Sequence, residues 1–263
     1  MSLVPPDSAL TPRFWRAGSV LAVPRVTWRL SRVIGHVLHG YVRSWLVWPR
    51  LDERGRDAEC VHWSVKMLRM LGIELVVQGQ ARPGAKLVVS NHVSWLDIVA
   101  LNAVVPSRFV SKAEVADWPV VGRMVTQAGT LFLTRERRRD AMRVLGLMAK
   151  GLREGHTLAV FPEGTTGTGH GVLHFHPNLL QAAIDADVPV QPVALRYADP
   201  VQEVSPLAAY VGDTSLLQSL WSVVSARGLV VHVHVLPLQA ATHADRRALA
   251  ALLQDQIEAA VAP

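Results

Sequence analysis

The sequence predicts an α/β domain in which a mixed, largely parallel sheet is flanked by helices, with an amphipathic helical segment before it. Half of the 263 residues are hydrophobic, which is enough to build a sizeable core. From about residue 73, short runs rich in valine and leucine alternate with longer stretches of helical periodicity. The first fifty residues differ from the rest in charge and aromatic content. We therefore divide the chain into a basic helical segment, 1–50, and an α/β domain, 51–263.

Residues 1–50 account for the whole formal charge of the chain. They contain seven arginines and one aspartate, a net charge of +6, and the full sequence also carries +6. They also contain four of the eight tryptophans. A segment that is both basic and rich in tryptophan is typical of a membrane interface.

Within this segment, apolar residues between Pro24 and Pro49 recur at three- and four-residue spacing, which predicts an amphipathic α-helix. Arginines and histidines recur at the same spacing on the predicted opposite face. A transmembrane helix needs about twenty mostly apolar residues without such a row of arginines. We therefore predict a helix that lies in the interface and contacts lipid through Arg29, Arg32, Arg43, Trp45 and Trp48. The alternative is a helix packed on the α/β domain with solvated arginines, and both interpretations can be partly true.

Seven short apolar runs predict strands, and five longer stretches predict helices. The predicted strands are 73–77, 87–89, 108–110, 130–133, 158–161, 190–195 and 229–236. The predicted helices are 95–102, 140–152, 179–186, 216–224 and 246–259. Ligands of such sheets bind beyond the carboxyl ends of the strands, so polar residues that follow a predicted strand are the functional candidates.

His92 and Asp97 follow the strand predicted at 87–89, in the turn that leads into a helix. A neutral imidazole is suited to accept a proton near neutral pH. A carboxylate bonded to its other ring nitrogen fixes the tautomer and stabilises the imidazolium that forms. The pair therefore indicates general-base chemistry without a protein nucleophile, although the spacing alone is a weak signal.

Three further segments carry candidate residues. Arg135 follows the strand at 130–133, where a guanidinium group would match a phosphate or carboxylate bidentately. The strand at 158–161 opens into a glycine- and threonine-rich loop whose backbone N–H groups suit an anion or oxyanion. The segment 188–193 contains two prolines, which favour an edge strand or a plain strand start.

In order and spacing, these segments resemble the four motif blocks of the glycerolipid acyltransferase family, the 1-acyl-sn-glycerol-3-phosphate acyltransferases and their relatives. The matching segments are Asn91-His92-x4-Asp97, 129–135, Phe161-Pro162-Glu163-Gly164-Thr165 and 188–193. The resemblance covers roughly residues 70–200 and assigns an acyltransferase domain to 51–263. It implies transfer of a fatty acyl group from an acyl-CoA or acyl-carrier-protein thioester to a lysolipid hydroxyl. The first choice of acceptor is 1-acyl-sn-glycerol-3-phosphate, which would give phosphatidic acid, and no metal or other cofactor is implied.

The resemblance also assigns roles to residues. His92 would be the base, Asp97 its orienting partner and Arg135 the ligand of the acceptor's anionic group. The acceptor-binding loop would include Glu163, Gly164, Thr165 and Thr166. Backbone N–H groups near the turn would stabilise the tetrahedral oxyanion.

Two positions depart from the family pattern. Thr166 stands where most members with a phosphate-bearing acceptor have an arginine, and 174–177 (His-Phe-His-Pro) replaces a lysine-containing stretch. Both changes weaken the predicted phosphate site. A lyso-ornithine-lipid O-acyltransferase is therefore the alternative within the family.

Other functional classes fit the sequence less well. Nucleic-acid binding is the rival for an arginine-rich chain, but residues 51–263 contain 20 basic and 20 acidic residues and no nucleic-acid motif, so no such partner is expected. A non-catalytic lipid-binding protein would not need the intact pair of His92 and Asp97. The histidines at 170, 174 and 176 have no cysteine or acidic partner nearby in the predicted loop, and no metal is expected.

The single cysteine and the absence of a signal-peptide cleavage pattern favour a reducing compartment. We therefore expect a peripheral or monotopic protein on the cytoplasmic face of the cell membrane, with membrane lipids as partners.

Overall fold

A computed structural model describes residues 22–134 and 138–262 of the chain. Arg135 and both basic residues that precede the first helix, Arg13 and Arg16, lie outside this range. The strands are β1 (Ile73–Gln78), β2 (Lys86–Ser90), β3 (Arg108–Lys112), β4 (Leu131–Leu133), β5 (Thr157–Val160), β6 (Val190–Ala198) and β7 (Leu229–Val235). The helices are α1 (Ala22–Leu46), α2 (Glu53–Leu71), α3 (Leu96–Val104), α4 (Val121–Gln127), α5 (Arg138–Arg153), α6 (Gln181–Ala186), α7 (Leu216–Ser225) and α8 (Arg246–Val261). Short 3₁₀ turns cover Trp48–Arg50, Ala113–Asp117 and Pro177–Leu180.

The seven strands form one sheet in the order β1-β7-β6-β2-β5-β3-β4. Every neighbouring pair is parallel except β6 and β7, which are antiparallel. The carboxyl ends of β2, β5, β3, β4 and β6 therefore meet at one edge of the sheet. The predicted mixed, largely parallel sheet is confirmed, and all seven predicted strands are present.

Helices cover both faces of the sheet. On one face α1, α2, α3 and α7 share a hydrophobic core with the strands, and on the other face α5, α6 and α8 do so. The central strand β2 is fully buried and alternates between the two cores, with Val88 in the first and Leu87 and Val89 in the second. A strand covered on both faces reads as a continuous apolar run, which is why β2 was predictable.

Of the two alternatives for 188–193 the plain strand start is confirmed, because β6 begins at Val190, and the edge strand is wrong, because β6 lies between β2 and β7. Pro192 occupies an interior position and still accepts a hydrogen bond at its carbonyl from Leu236 N at 3.0 Å. The β6–β7 ladder begins one residue later, at Val193 opposite Val235. Pro192 therefore lies just before the first pair of the β6–β7 ladder. Its missing N–H removes no hydrogen bond from that ladder, which is how an interior strand accommodates the proline.

The inner face of α1 packs against α2, α4 and α7 and joins the same hydrophobic core as the sheet. Val33 is buried in this core. Arg29 donates two hydrogen bonds from Nη1, to the carbonyl oxygens of Val224 at 2.9 Å and Ala226 at 2.8 Å, where α7 ends. Carbonyls at a helix C-terminus lack intrahelical partners and attract cations. Residues on both sides of the predicted boundary at 50 thus share one core.

Arg43 also turns inward. Its Nε and Nη2 bond to the two carboxylate oxygens of Glu59 on α2, at 2.6 and 2.8 Å. The predicted outer basic face therefore does not hold for Arg29 and Arg43, because protein oxygens satisfy both guanidinium groups. Arg32 lies on the surface, with its guanidinium carbon 4.1 Å from the ring centre of Trp28.

The opposite face of α1 is apolar. We define it as the outer apolar face, a set of side chains that are each at least 50% exposed: Val23, Trp28, Ile34, Leu38, Val42, Trp45 and Leu46. An exposed apolar surface of this extent is typical of contact with a partner or with lipid. Across the described ranges 22–134 and 138–262, helices long and apolar enough to span a membrane are absent.

Candidate active site

The site is built on the turn between β2 and α3. Asn91 closes this turn against β6, donating from Nδ2 to the carbonyl oxygen of Leu195 at 2.9 Å and accepting from Leu195 N at 2.8 Å. The buried amide thus replaces two ladder hydrogen bonds just past the last residue of β2. His92, the next residue, is held at the carboxyl edge of the sheet.

His92 and Asp97 form the predicted pair. The His92 Nδ1 atom lies 2.7 Å from Asp97 Oδ2. A carboxylate only accepts hydrogen bonds, so the pairing assigns the proton to Nδ1 and leaves Nε2 with a free lone pair. The imidazole stacks on Phe161 with ring centres 4.0 Å apart, and its side chain is 20% exposed. One ring nitrogen is therefore fixed from within, and the ring remains accessible to a substrate.

Asp97 is fully buried, yet both of its oxygens are bonded. Besides His92, Oδ2 accepts from the backbone N–H groups of Val93 at 2.7 Å and Ser94 at 2.9 Å. Oδ1 accepts from the hydroxyl of Tyr197 at 2.8 Å. Four donors compensate the loss of water around a buried charge. Tyr197 was not predicted as a site residue, because it lies 100 residues away on β6.

Glu163 ties the loop after β5 to the same turn. Its Oε1 accepts from His92 N at 2.8 Å and its Oε2 from Leu173 N at 3.2 Å. Burial raises the pKa of Glu163 to about 7, although the two backbone hydrogen bonds pull the pKa down. Both oxygens of this carboxylate thus accept hydrogen bonds from the backbone of the chain.

The rest of the loop is fixed from both sides. Gly167 N donates to the carbonyl oxygen of His92 at 2.7 Å. The Thr166 hydroxyl donates to the carbonyl oxygen of Tyr210. Gly164 has φ +70°, and its backbone N–H donates a hydrogen bond to the carbonyl oxygen of Phe161 at 3.1 Å, which stabilises the turn. Among the predicted loop residues, Thr165 is exposed, Gly164 and Thr166 are partly exposed, and Glu163 is buried.

The structure corrects the prediction of oxyanion donors for three backbone N–H groups of this turn. The backbone N–H groups of His92, Val93 and Ser94 donate to Glu163 or Asp97. They hold the base in place and are not directed at a reacting carbonyl. These three N–H groups therefore do not supply the predicted oxyanion donors.

Arg135 lies outside the described residues, two positions after β4. The described end of β4 pairs with the end of β3, Leu133 opposite Lys112, at the same edge of the sheet as His92. In the loop after β5, the His174 and His176 rings are perpendicular with centres 5.4 Å apart. In the parts of the chain that the structure describes, a group of three or more His, Cys, Asp or Glu side chains suited to a metal ion is absent.

The chain is similar in sequence to known acyltransferases. A family model described as Acyltransferase matches residues 74–196. A 1-acyl-sn-glycerol-3-phosphate acyltransferase of Neisseria meningitidis is 40% identical over 193 residues, which cover 73% of this chain and 75% of the relative. A lyso-ornithine lipid O-acyltransferase of Pseudomonas aeruginosa is 35% identical over 246 residues, which cover 90% of this chain and 93% of the relative.

The fold is shared with a solved structure. The crystal structure of the 1-acyl-sn-glycerophosphate acyltransferase PlsC from Thermotoga maritima aligns with a TM-score of 0.68 at 20% identity, over 92% of this chain and 95% of that one. The sequence relatives are the closer comparison, because the identity is 35% or more over most of their length. The chain therefore belongs to the glycerolipid acyltransferase family.

Proposed function

We propose that this chain transfers a fatty acyl group from an acyl-CoA or acyl-carrier-protein thioester to the free hydroxyl of 1-acyl-sn-glycerol-3-phosphate. The observation that carries the proposal is the pair of His92 and Asp97, 2.7 Å apart, with Nε2 left to accept a proton. The relative from Neisseria meningitidis is named for this acceptor.

The base catalysis follows from the imidazole. As Nε2 takes the hydroxyl proton, the acceptor oxygen attacks the thioester carbonyl, and Asp97 stabilises the imidazolium. When the tetrahedral intermediate collapses, the C–S bond breaks and the thiolate leaves with the proton returned by His92. General-base catalysis of this kind contributes about 10² to 10⁴ in rate.

A covalent acyl-enzyme is not needed in this scheme. Ser90 and Ser94 are the hydroxyl residues beside His92, and both are fully buried with no exposed surface. A thioester therefore cannot reach them without unfolding the turn. Direct transfer to the acceptor is the step that the geometry favours.

A lyso-ornithine lipid is the second candidate acceptor. Thr166 supplies no charge, and its hydroxyl is engaged by Tyr210 O, so the loop contributes no cation at this position. The relative from Pseudomonas aeruginosa, named for that acceptor, matches 90% of this chain. These two observations support the lyso-ornithine lipid as the second candidate.

We also propose that the protein docks on the cytoplasmic membrane surface through the outer apolar face of α1. On the adjacent helix α7, Leu217 and Trp221 are exposed as well. Apolar burial at the boundary between headgroups and acyl chains, together with Arg32 near anionic headgroups, supports reversible binding.

The test is acyl transfer by the purified protein to a panel of lysolipids, each with acyl-CoA and with acyl-carrier-protein donors. Product from 1-acyl-sn-glycerol-3-phosphate supports the first acceptor, and product only from the lyso-ornithine lipid replaces it with the second. The matched control is His92→Ala. Turnover that does not depend on His92 would overturn the mechanism.

A further inference from the structure

Tyr197 is the one side chain bonded to the Oδ1 atom of Asp97 in the described structure. It lies on β6, next to β2, and its ring is 2% exposed. The hydroxyl donates to Oδ1 at 2.8 Å. Because Asp97 stands between them, Tyr197 reaches His92 only through this carboxylate.

The two oxygens of Asp97 are held in different ways. Oδ2 is bonded by the His92 ring and by two backbone amides of its own turn. Oδ1 is bonded from the neighbouring strand by a phenol. The bond from Tyr197 therefore fixes the rotation of the carboxylate plane, which the three donors on Oδ2 leave open.

The phenol is also suited to remain a donor. Complete burial and the facing Asp97 charge raise the pKa of Tyr197 far above its ordinary value. The hydroxyl consequently keeps its proton throughout the range in which histidine titrates. The titratable groups that face Asp97 are His92 from the turn, Tyr197 from β6 and Glu163 from the loop after β5.

We propose that Tyr197 is a positioning residue of the acyl-transfer reaction, which holds the Asp97 carboxylate so that His92 is aimed and poised as a base. This inference rests on the proposed function. The pair carries a net negative charge when His92 is neutral and no net charge when His92 is protonated. Loss of the phenol donor therefore destabilises the neutral-histidine form more, so protonation of the pair becomes easier.

Tyr197→Phe is the informative variant, because it keeps the ring in the core and removes only the O–H group. We expect kcat to fall about tenfold with KM for both substrates nearly unchanged. The acid limb of the pH–rate profile should move to higher pH by roughly one unit. Glu163 titrates in the same range in both proteins, so the difference between the two profiles isolates Tyr197. A profile that superimposes on that of the wild type would overturn the proposal.

Ser219→Ala is the matched structural control. The buried Ser219 Oγ accepts a hydrogen bond from Trp95 Nε1 at 3.0 Å, beside the start of α3, and does not touch the pair of His92 and Asp97. This variant should lose melting temperature to a similar extent as Tyr197→Phe. Its pH–rate profile should remain that of the wild type, and an equal shift in both variants would assign the effect of Tyr197 to general packing.

A double-mutant cycle tests whether Tyr197 acts through Asp97. In an Asp97→Asn background, adding Tyr197→Phe should change kcat less than about twofold. A full tenfold loss in that background would show an independent role and overturn the proposal.

NMR titration of the His92 imidazole separates this inference from the proposed function, since it needs no substrate. The His92 midpoint should move to higher pH in Tyr197→Phe by roughly one unit. An unchanged midpoint would overturn the role of Tyr197, whatever the activity of the protein. A shifted midpoint in a protein that is inactive on the lysolipid panel would support the role of Tyr197 and overturn the proposed acceptors.

Discussion

The turn between β2 and α3 and the outer apolar face of α1 depart from the usual pattern of burial in opposite ways. The turn buries a carboxylate completely, whereas the helix leaves seven large apolar side chains at least half exposed. Each arrangement is unfavourable alone. At the turn the relief comes from inside the chain, since four donors surround Asp97. At α1 none of the residues in the described ranges covers these side chains, and we propose that lipid does so.

The largest effect separates chemistry from folding at the turn. His92→Ala should lower kcat/KM by about 10² to 10⁴, because the base is lost. The melting temperature should hardly change, since the side chain is partly exposed and fills little of the core. Steady-state kinetics measure kcat/KM and a thermal melt measures the melting temperature, with His232→Ala on β7 as the control. Retained turnover in a folded His92→Ala protein would remove this turn from the mechanism.

The next effect tests the buried charge of the loop. The Glu163 pKa is raised from 4.5 to about 7 by burial, so the folded state binds this proton more tightly than the unfolded chain. The stability from Glu163 is then fully present below about pH 4.5 and is lost as pH rises through 7, by up to about 3 kcal/mol. Glu163→Gln cannot ionise. The melting temperature of the wild type relative to Glu163→Gln should therefore fall between about pH 5 and pH 8.

A wild type that gained stability over Glu163→Gln across this range would show that the two backbone hydrogen bonds outweigh burial at Glu163. Glu163 would then behave as an ordinary paired carboxylate, and the contrast between the buried turn and the exposed face of α1 would weaken.

The outer apolar face is tested by adding charge to it. The double change Ile34→Glu and Leu38→Glu should reduce binding to vesicles of anionic phospholipid at least about tenfold, because apolar burial is lost and like charge is introduced. Vesicle sedimentation measures the binding. Leu252→Glu changes a leucine on α8 that is 45% exposed; this control variant should bind as the wild type does. Equal losses in both variants would make the effect one of net charge alone.

The smallest effect concerns how α1 is attached to the α/β domain. The ion pair between Arg43 and Glu59 is partly exposed, with side chains 35% and 22% accessible. Solvent screens such pairs, so Arg43→Gln should cost only about 0.2–1 kcal/mol of the free energy of unfolding. Urea unfolding with Glu59→Gln as the second arm of a cycle measures the coupling. A coupling of several kcal/mol would mean that α1 is held by charge and not mainly by Val26 and Val33.

Much of the fold was predictable from the sequence, because a strand buried on both faces has to be a run of apolar residues. Helix α2 was not predicted, although its ends carry readable signals. Asp52 caps its first turn by accepting from Gly55 N at 2.8 Å, and Gly72 ends it with φ +81°. Helix α2 was missed because its surface is mostly polar, so the apolar periodicity on which helix prediction depends is weak.

The two faces of α1 could not be assigned from periodicity. The apolar residues cover a wide arc of the helix, and the arc splits so that Val33 turns inward and the adjacent Ile34 turns outward. Which part is covered depends on where α2 and α7 lie. Arg29 and Arg43 follow the same logic, because their partners are oxygens brought near by the tertiary fold.

The pair of His92 and Asp97 was predictable because both residues lie in one turn. Tyr197 was not, because only the adjacency of β6 and β2 brings it to Asp97. The same adjacency explains the interior position of Pro192. The role of Arg135 stays a prediction.

The loop after β5 bonds to both main-chain polar groups of His92, the N–H through Glu163 and the carbonyl through Gly167. These two loop residues are four positions apart, so the length of chain between them sets the placement of the base. An insertion or deletion between residues 163 and 167 would displace one of the two contacts. We therefore expect insertions and deletions in this loop to be tolerated only outside that interval, and a grafted acceptor loop has to keep the interval unchanged.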